Sequence, residues 1–322
     1  MCLRTTIRRV SLASVTLAVI AALLPRPAVA DAACSRPRCL TLRVPLPRGL
    51  KVPDSRIRVL LPPGYDGHKR YPVVYLLHGV GDTFASWTRN SDVVAFSRRF
   101  PLIIVMPDAG RGSDAGWHSD WKDGSRQWET FHTKVLVRFV DKHFRTLGPR
   151  HRAIAGFSMG GFGAMSYAAR HRGVFRAAAS FSGFVDTMYA APASGAVYEP
   201  GGRGVPGYSL GTPRDQVWGP QATNEQTWRA HNPRDLAARL RGTWLYVASG
   251  NGEPGGPAGD DPSKPHLYFE EFVIGLQNDS FVDALDGAGV RYVSDLRSGY
   301  HDWPYYTYEL HRALPMIARA IR

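Results

Sequence analysis

The stretch Ala153–Met165, AIAGFSMGGFGAM, governs how the rest of the chain is read. An apolar run stops at Phe157, a serine stands between Gly156 and Gly160, and a small-residue helical pattern begins at once. A core strand gains nothing from Gly156, Ser158 and Gly160. A sharp turn that holds one hydroxyl at the tip of a strand needs all three, because a Cβ at either glycine would meet backbone passing close by. G-x-S-x-G alone is a weak signal. Between a strand and a helix it has the arrangement of a nucleophile elbow. The helix start also aims unpaired backbone N–H groups at the serine, so the N–H of Met159 is expected to stabilise an oxyanion.

On either side of the elbow, short apolar runs alternate with helical patterns. Residues 56–63, 72–79, 102–108, 152–158, 175–183, 243–250 and 290–299 read as strands. Several are apolar throughout, as strands buried on both faces of a parallel sheet are. Helical periodicity falls on 128–144, where Phe131, Val135, Phe139 and Val140 share a face, and on the residues after Ser158, 280–289 and 305–322. The alternation predicts a three-layer α/β domain over residues 31–322, with a mostly parallel central sheet flanked by helices, and the elbow at Ser158 makes an α/β-hydrolase fold the expectation. Residues 184–241 break the rhythm. They are rich in Gly, Pro and Trp, too long for an ordinary loop, and read as a loop-rich cap insertion carrying Tyr198, Tyr208, Trp218 and Trp228. Residues 252–265 read as a loop.

A serine hydroxyl is a poor nucleophile until a base takes its proton. In this fold the acid and then the histidine follow the serine, with the histidine after the last strand. His301, in SGYHDW, fits. His311 lies inside the terminal helical pattern and His266 precedes the last strand. By order alone the acid stays open among Glu253, Asp260, Asp261, Glu270, Glu271, Asp279 and Asp283. A second oxyanion donor is expected from the turn in LLHGVGDT, at the N–H of Val80 or Gly79.

The N-terminus reads as an export signal over residues 1–30. Arg4, Arg8 and Arg9 precede a mostly apolar run from Val10 to Leu24, and AVA at 28–30 supplies a cleavage site. The run is shorter than the roughly 20 residues a membrane span needs. Cleavage leaves Cys34 and Cys39, which predict a disulfide in an exported protein. The leader holds four arginines and no acid, so the net charge of +13 becomes about +9 in the mature chain. Basic residues are scattered and no nucleic-acid-binding motif appears, so a solvated basic surface is expected rather than nucleic-acid binding. No metal-ligand spacing or phosphate loop is present, and no cofactor is expected. A secreted monomer is the expectation.

In combination, QWETF (Gln127–Phe131), VMPDAG, SDW, GFSMGG, VWGP, WRAHNP, LYVASGNGEP, FEEF and HDWPYY resemble the antigen 85 group, the secreted mycolyltransferases, and the wider esterase family that includes feruloyl esterases. The likeness runs over roughly residues 70–315. It implies Ser158 as nucleophile, His301 as base, and as acid a helical glutamate some thirty residues earlier, matching Glu270, with Glu271 and Glu253 as rivals. It implies Val80 and Met159 as oxyanion donors and Trp303 beside the site. The chain departs from the mycolyltransferases at His78 and Gly81, where they carry the aspartate and arginine that help hold trehalose. The likeness therefore implies the hydrolytic machinery and not the trehalose site, and leaves His78 as a substrate contact.

Three functions remain in view. One is a secreted serine carboxylic-ester hydrolase acting through an acyl-enzyme, on a small-molecule, cell-envelope or plant-wall ester. Another is an acyltransferase that passes the acyl group to a sugar or glycerol hydroxyl. The third is a glycan-binding protein using Trp87, Trp117 and Trp303, against which the intact Ser–acid–His order argues.

Overall fold

Five consecutive apolar side chains, Val73–Leu77, form a strand with nothing exposed on either face. Val73, Tyr75 and Leu77 enter one hydrophobic core, and Val74 and Leu76 enter another on the opposite face. Period-two alternation of an all-apolar run means that both sheet faces must be covered. The computed structural model, which describes residues 34, 38–189 and 214–322, shows how they are covered.

The strands are β1 (Cys39–Arg43), β2 (Arg56–Leu60), β3 (Val73–Leu77), β4 (Ile103–Pro107), β5 (Arg152–Phe157), β6 (Ala177–Phe181), β7 (Trp244–Gly250) and β8 (Val293–Arg297). They form one sheet in the order β1-β2-β4-β3-β5-β6-β7-β8. β2 is antiparallel to β1 and to β4, and every other pair is parallel. All seven runs read from sequence are strands, with shorter ends. β1 was not anticipated: it is an edge strand with an alternating burial pattern and no continuous apolar signal.

Short helices α1 (Ser86–Asn90) and α2 (Val93–Phe96) follow β3, and α3 (Trp128–Thr130) leads through a π-helical segment, Phe131–Leu136, into α4 (Val137–His143). α5 (Met159–Arg170) follows β5, while α6 (Arg214–Val217) and α7 (Gln221–His231) lie between β6 and β7. α8 (Pro265–Gly287) precedes β8, and α9 (Trp303–Ala320) closes the chain. Side chains of the π-helical segment, α4, α5 and α8 enter the first core, and those of α1, α2 and α9 enter the second. The result is the expected three layers. The π-helical segment changes the predicted face of 128–144. Trp128, Phe131, Leu136, Val137 and Val140 are buried, while Val135 and Phe139 are only partly so, because a wider turn moves later residues off a strict 3.6-residue period.

Register places the strand tips that matter side by side. Leu77 pairs with Gly156, Phe157 with Phe181, and Phe181 with Ala248. β4 and β5 flank β3 on opposite sides, so the chain reverses direction across the sheet here. The carboxyl ends of strands at such a point are where open α/β sheets form clefts.

Cys34 and Cys39 are disulfide-bonded, with Cα atoms 5.0 Å apart. The predicted export signal and residues 190–213 of the predicted insertion, including Tyr198 and Tyr208, lie outside the described residues. Among the described residues no helix is long and apolar enough to cross a membrane.

Candidate active site

Ser158 caps α5 with φ 55° and ψ −124°, a left-handed conformation that a residue with a Cβ rarely adopts. Such a residue typically costs about 1–3 kcal/mol and persists only where its surroundings hold it. Here the Ser158 N–H donates to the Phe181 carbonyl (3.0 Å), and its own carbonyl accepts from the N–H groups of Gly161 (2.9 Å) and Phe162 (3.2 Å). The flanking glycines permit the turn. A Cβ at Gly160 would lie 2.8 Å from the carbonyl oxygens of both Leu77 and His78, and one at Gly156 would lie 2.6 Å from the Gly160 backbone.

The structure brings Ser158 and His301 together. His301 Nε2 is 3.0 Å from Ser158 Oγ. On the other edge of the ring, Nδ1 is 2.6 Å from Glu271 Oε2. Nδ1–H donating to that carboxylate leaves the Nε2 lone pair facing the serine hydroxyl. Glu271 is fully buried, and its Oε1 accepts from the N–H of Gly250 (2.5 Å) and the hydroxyls of Ser182 (2.6 Å) and Ser249 (3.1 Å). A buried carboxylate satisfied in this way is fixed in position.

The glutamate against His301 Nδ1 is therefore Glu271 and not Glu270, where the acid was expected. Both lie on α8, where adjacent residues point about 100° apart. Glu271 faces β7, while Glu270 faces the cleft with Oε1 3.8 Å from His301 Nε2. Gly250 makes the approach of α8 possible, since a Cβ there would lie 2.8 Å from Glu271 Cγ. The other rival, Glu253, is exposed, and its side chain accepts from Asn251 (3.3 Å).

Burial alone would lower the pKa of His301. The charge of Glu270, the hydrogen bond and charge of Glu271, and the charge of Asp302 outweigh burial and raise it above the usual histidine value. Asp302 itself pairs with Lys264 (2.6 Å).

A cleft of about 460 Å³ opens over the serine, lined among others by Val80, Asp82, Ser158, Glu270, His301 and Trp303. Trp303 packs edge-on against Phe157 (ring centroids 4.7 Å apart) and Trp87 (5.3 Å). Among the described residues, the N–H groups of Val80 and Met159 donate to no protein acceptor. Met159 is the first residue of α5, where an N–H has no partner within the helix. Asp82 has a raised pKa. Burial is the cause, only partly offset by the Ser86 hydroxyl and the charge of His78.

Two expectations about side chains change. His78, expected to touch substrate, is buried and absent from the cleft lining. Its Nε2 accepts from the Ala109 N–H (2.9 Å) and its Nδ1 is 2.8 Å from the Gly79 carbonyl, so it ties the turn after β3 to the one after β4. Within the predicted cap, Trp218 and Trp228 are core residues, packed with Trp117, Met159, Phe162 and Phe184 beneath the elbow. Their indole N–H groups donate to Ser119 Oγ (3.1 Å) and the Gly219 carbonyl (3.0 Å). Sequence reasoning missed Ser182 and Ser249. The only signal was a repeated Ser-Gly at the ends of β6 and β7.

The Esterase family profile matches residues 53–317. The chain belongs to that family. It is 34% identical over 262 residues to Esterase Rv1288 of Mycobacterium tuberculosis, covering 76% of this chain and 52% of the relative. The chain thus spans about half the length of that relative. It is 31% identical over 271 residues to the diacylglycerol acyltransferase/mycolyltransferase Ag85B of Mycobacterium leprae, covering 80% of this chain and 78% of that one. Among solved structures, a ferulic acid esterase is 26% identical with a TM-score of 0.64, over 88% of this chain and 98% of its own. Mycobacterium tuberculosis MPT51 shares the fold, with a TM-score of 0.65 at 24% identity over 88% of this chain and 99% of its own. The fold is the α/β-hydrolase fold of these esterases.

Proposed function

We propose that the chain is a serine carboxylic-ester hydrolase that works through an acyl-enzyme. The observation that carries this reading is the unbroken relay from Ser158 Oγ to His301 Nε2 (3.0 Å) and from His301 Nδ1 to Glu271 Oε2 (2.6 Å). Ser158 Oγ attacks the ester carbonyl while His301 takes its proton, and Glu271 holds the imidazolium that forms. The N–H groups of Val80 and Met159 receive the developing oxyanion. His301 then protonates the leaving alcohol, and water repeats the sequence to release the acid. Trp303 and the apolar wall at Phe157 take the acyl or alcohol part of the substrate.

The likeness to a diacylglycerol acyltransferase/mycolyltransferase favours a second reading, in which an alcohol takes the place of water. The esters in view are those of the cell envelope or plant wall. Export is supported by the leader pattern of residues 1–30 and by the Cys34–Cys39 disulfide. A single catalytic domain acting as a monomer completes the reading.

The test is Ser158→Ala on a short p-nitrophenyl ester, with a fluorophosphonate probe in parallel. Turnover and labelling are expected to disappear while the circular dichroism spectrum is retained. An unchanged rate in the variant would overturn the assignment.

A further inference from the structure

With Glu271 holding His301, Glu270 is left over. Its carboxylate sits in the cleft on the serine side of the imidazole, with Oε1 3.8 Å from Nε2. Among the described residues no lysine or arginine pairs with it and no protein donor hydrogen-bonds to it, although its side chain is only 21% exposed. Two acceptors 3.8 Å apart can be bridged by a single oxygen about 2.8 Å from each. The attacking oxygen of the second half-reaction must come to Nε2 as Ser158 Oγ does now.

We propose that Glu270 positions the acyl acceptor and selects for acceptors that can donate twice: water, or a polyol with a second hydroxyl beside the attacking one. This rests on the acyl-enzyme reading above. As the acceptor oxygen bonds to the acyl carbon, its proton passes to His301 Nε2. The adduct then collapses, the bond from the acyl carbon to Ser158 Oγ breaks, and His301 returns the proton to Oγ. Water keeps a second O–H throughout, and Glu270 Oε1 accepts it. A monohydric alcohol has only the proton that His301 removes, so it turns carbon toward the carboxylate and strips it of solvent without replacing the hydrogen bond. A vicinal diol restores the bond through its neighbouring hydroxyl. Glu270 thereby sets the partition between hydrolysis and transfer, and does so by acceptor chemistry.

The experiment compares wild type, Glu270→Gln and Glu270→Ala with a p-nitrophenyl ester, adding 1-propanol or 1,2-propanediol, which differ by one hydroxyl. Stopped-flow release of p-nitrophenol separates acylation from deacylation, and chromatography gives the acid-to-ester product ratio. Wild type is expected to transfer preferentially to the diol. Glu270→Ala is expected to lose that preference by about tenfold, the worth of one hydrogen bond, and to slow deacylation by water more than acylation. Glu270→Gln keeps an acceptor oxygen and is expected to retain the preference. The same diol-to-propanol ratio in wild type and Glu270→Ala overturns the inference, as does loss of the preference in Glu270→Gln. If wild type shows no ester turnover at all, the ester-hydrolase reading fails instead, and the two failures are distinct.

Discussion

Glu271→Gln replaces a buried charge by a group of the same shape, and the size of its effect follows from the geometry. The carboxylate touches the ring at 2.6 Å, with the imidazolium charge spread over both nitrogens. Taking an effective separation of about 4 Å and an effective dielectric of about 20, the pair is worth about 4 kcal/mol. That amount is lost when His301 becomes cationic in the transition state, and it corresponds to about a thousandfold in kcat/KM. The amide adds a tautomer problem. Gly250, Ser182 and Ser249 all donate to Oε1 and hold an acceptor oxygen there, which turns the –NH2 toward Nδ1. Nδ1 must then accept, and Nε2 presents a hydrogen to Ser158 where a lone pair is needed. The assay is steady-state hydrolysis of p-nitrophenyl butyrate, with Glu270→Gln alongside. Glu270→Gln is expected to lose no more than about tenfold in kcat/KM, because its hydrogen-bonding oxygen survives and it does not contact Nδ1. If Glu270→Gln loses a thousandfold and Glu271→Gln stays active, the acid has been assigned to the wrong glutamate.

Three further outcomes follow from the same geometry. His301 must be neutral to act as base, and its pKa is raised against the pull of burial by Glu270, Glu271 and Asp302. The acid limb of kcat/KM is therefore expected to have its midpoint above about 6.5, the usual histidine value, and to move down in Glu270→Gln; an unshifted pH profile contradicts this. Gly250→Ala puts a Cβ 2.6 Å from the Gly299 carbonyl oxygen and 2.8 Å from Glu271 Cγ, displacing both the acid and the loop that carries His301. Calorimetry should find it about 1–3 kcal/mol less stable, with kcat reduced at least tenfold, whereas Gly287→Ala, with open space around its Cβ, should be close to neutral. Glu129, buried near Arg170 and His171, is raised by burial and lowered further by hydrogen bonds from His171 and Arg170, ending near 2. His132 is pushed down to about 3, chiefly by burial. Both folded-state values lie below the unfolded ones, so the stability they confer is full above about pH 6.5 and drains away as the pH falls toward 2. Glu129→Gln should flatten the part of that loss below about pH 4.5 in urea titrations, at a cost of about 3 kcal/mol near neutrality.

What was legible in the sequence depended on whether a signal was local. Strands buried on both faces, such as β3, β4, β5 and β6, announce themselves as apolar runs, whereas β1, at one sheet edge, carries only a faint alternation, and β8, at the other edge, is largely exposed and was read only as part of the longer run 290–299. The elbow was legible because its glycines answer a steric demand within five residues. His301 was legible because chain order leaves few histidines after the last strand. The choice between Glu270 and Glu271 was not legible. It depends on the rotational phase of α8, whose start at Pro265 lies in a segment that reads as loop, and a one-residue error in phase turns the side chain by about 100°. The role of His78 was hidden for a similar reason. Its partner, the Ala109 N–H, is brought in by β4, 31 residues away. Trp218 and Trp228 looked like cap residues because the insertion has no period, yet Trp117, Phe162 and Phe184 give them a core to enter.

The arrangement of the relay follows from three neighbouring strand ends. β5, β6 and β7 are parallel and in register, and each ends at or beside a serine: Ser158, Ser182 and Ser249. Ser158 and Ser182 share the left-handed backbone, φ 55° and 48°, at equivalent positions one step past the paired residues Phe157 and Phe181. One hydroxyl meets His301, and the other two grip Glu271. Parallel strands lie about 4.8 Å apart, so Ser158 after β5 and the anchor of Glu271 on β7 are separated by two strand spacings, about 10 Å. A carboxylate and an imidazole in line are the right length to close that gap. The length of the relay is therefore set by the hydrogen-bond spacing of the sheet. The side chains that reach across it come from α8 and from the loop before α9, and Gly250 and the Gly299 carbonyl keep those two segments in contact. Such a relay resists drift of either helix, because moving one partner means breaking bonds to the sheet edge that holds the other.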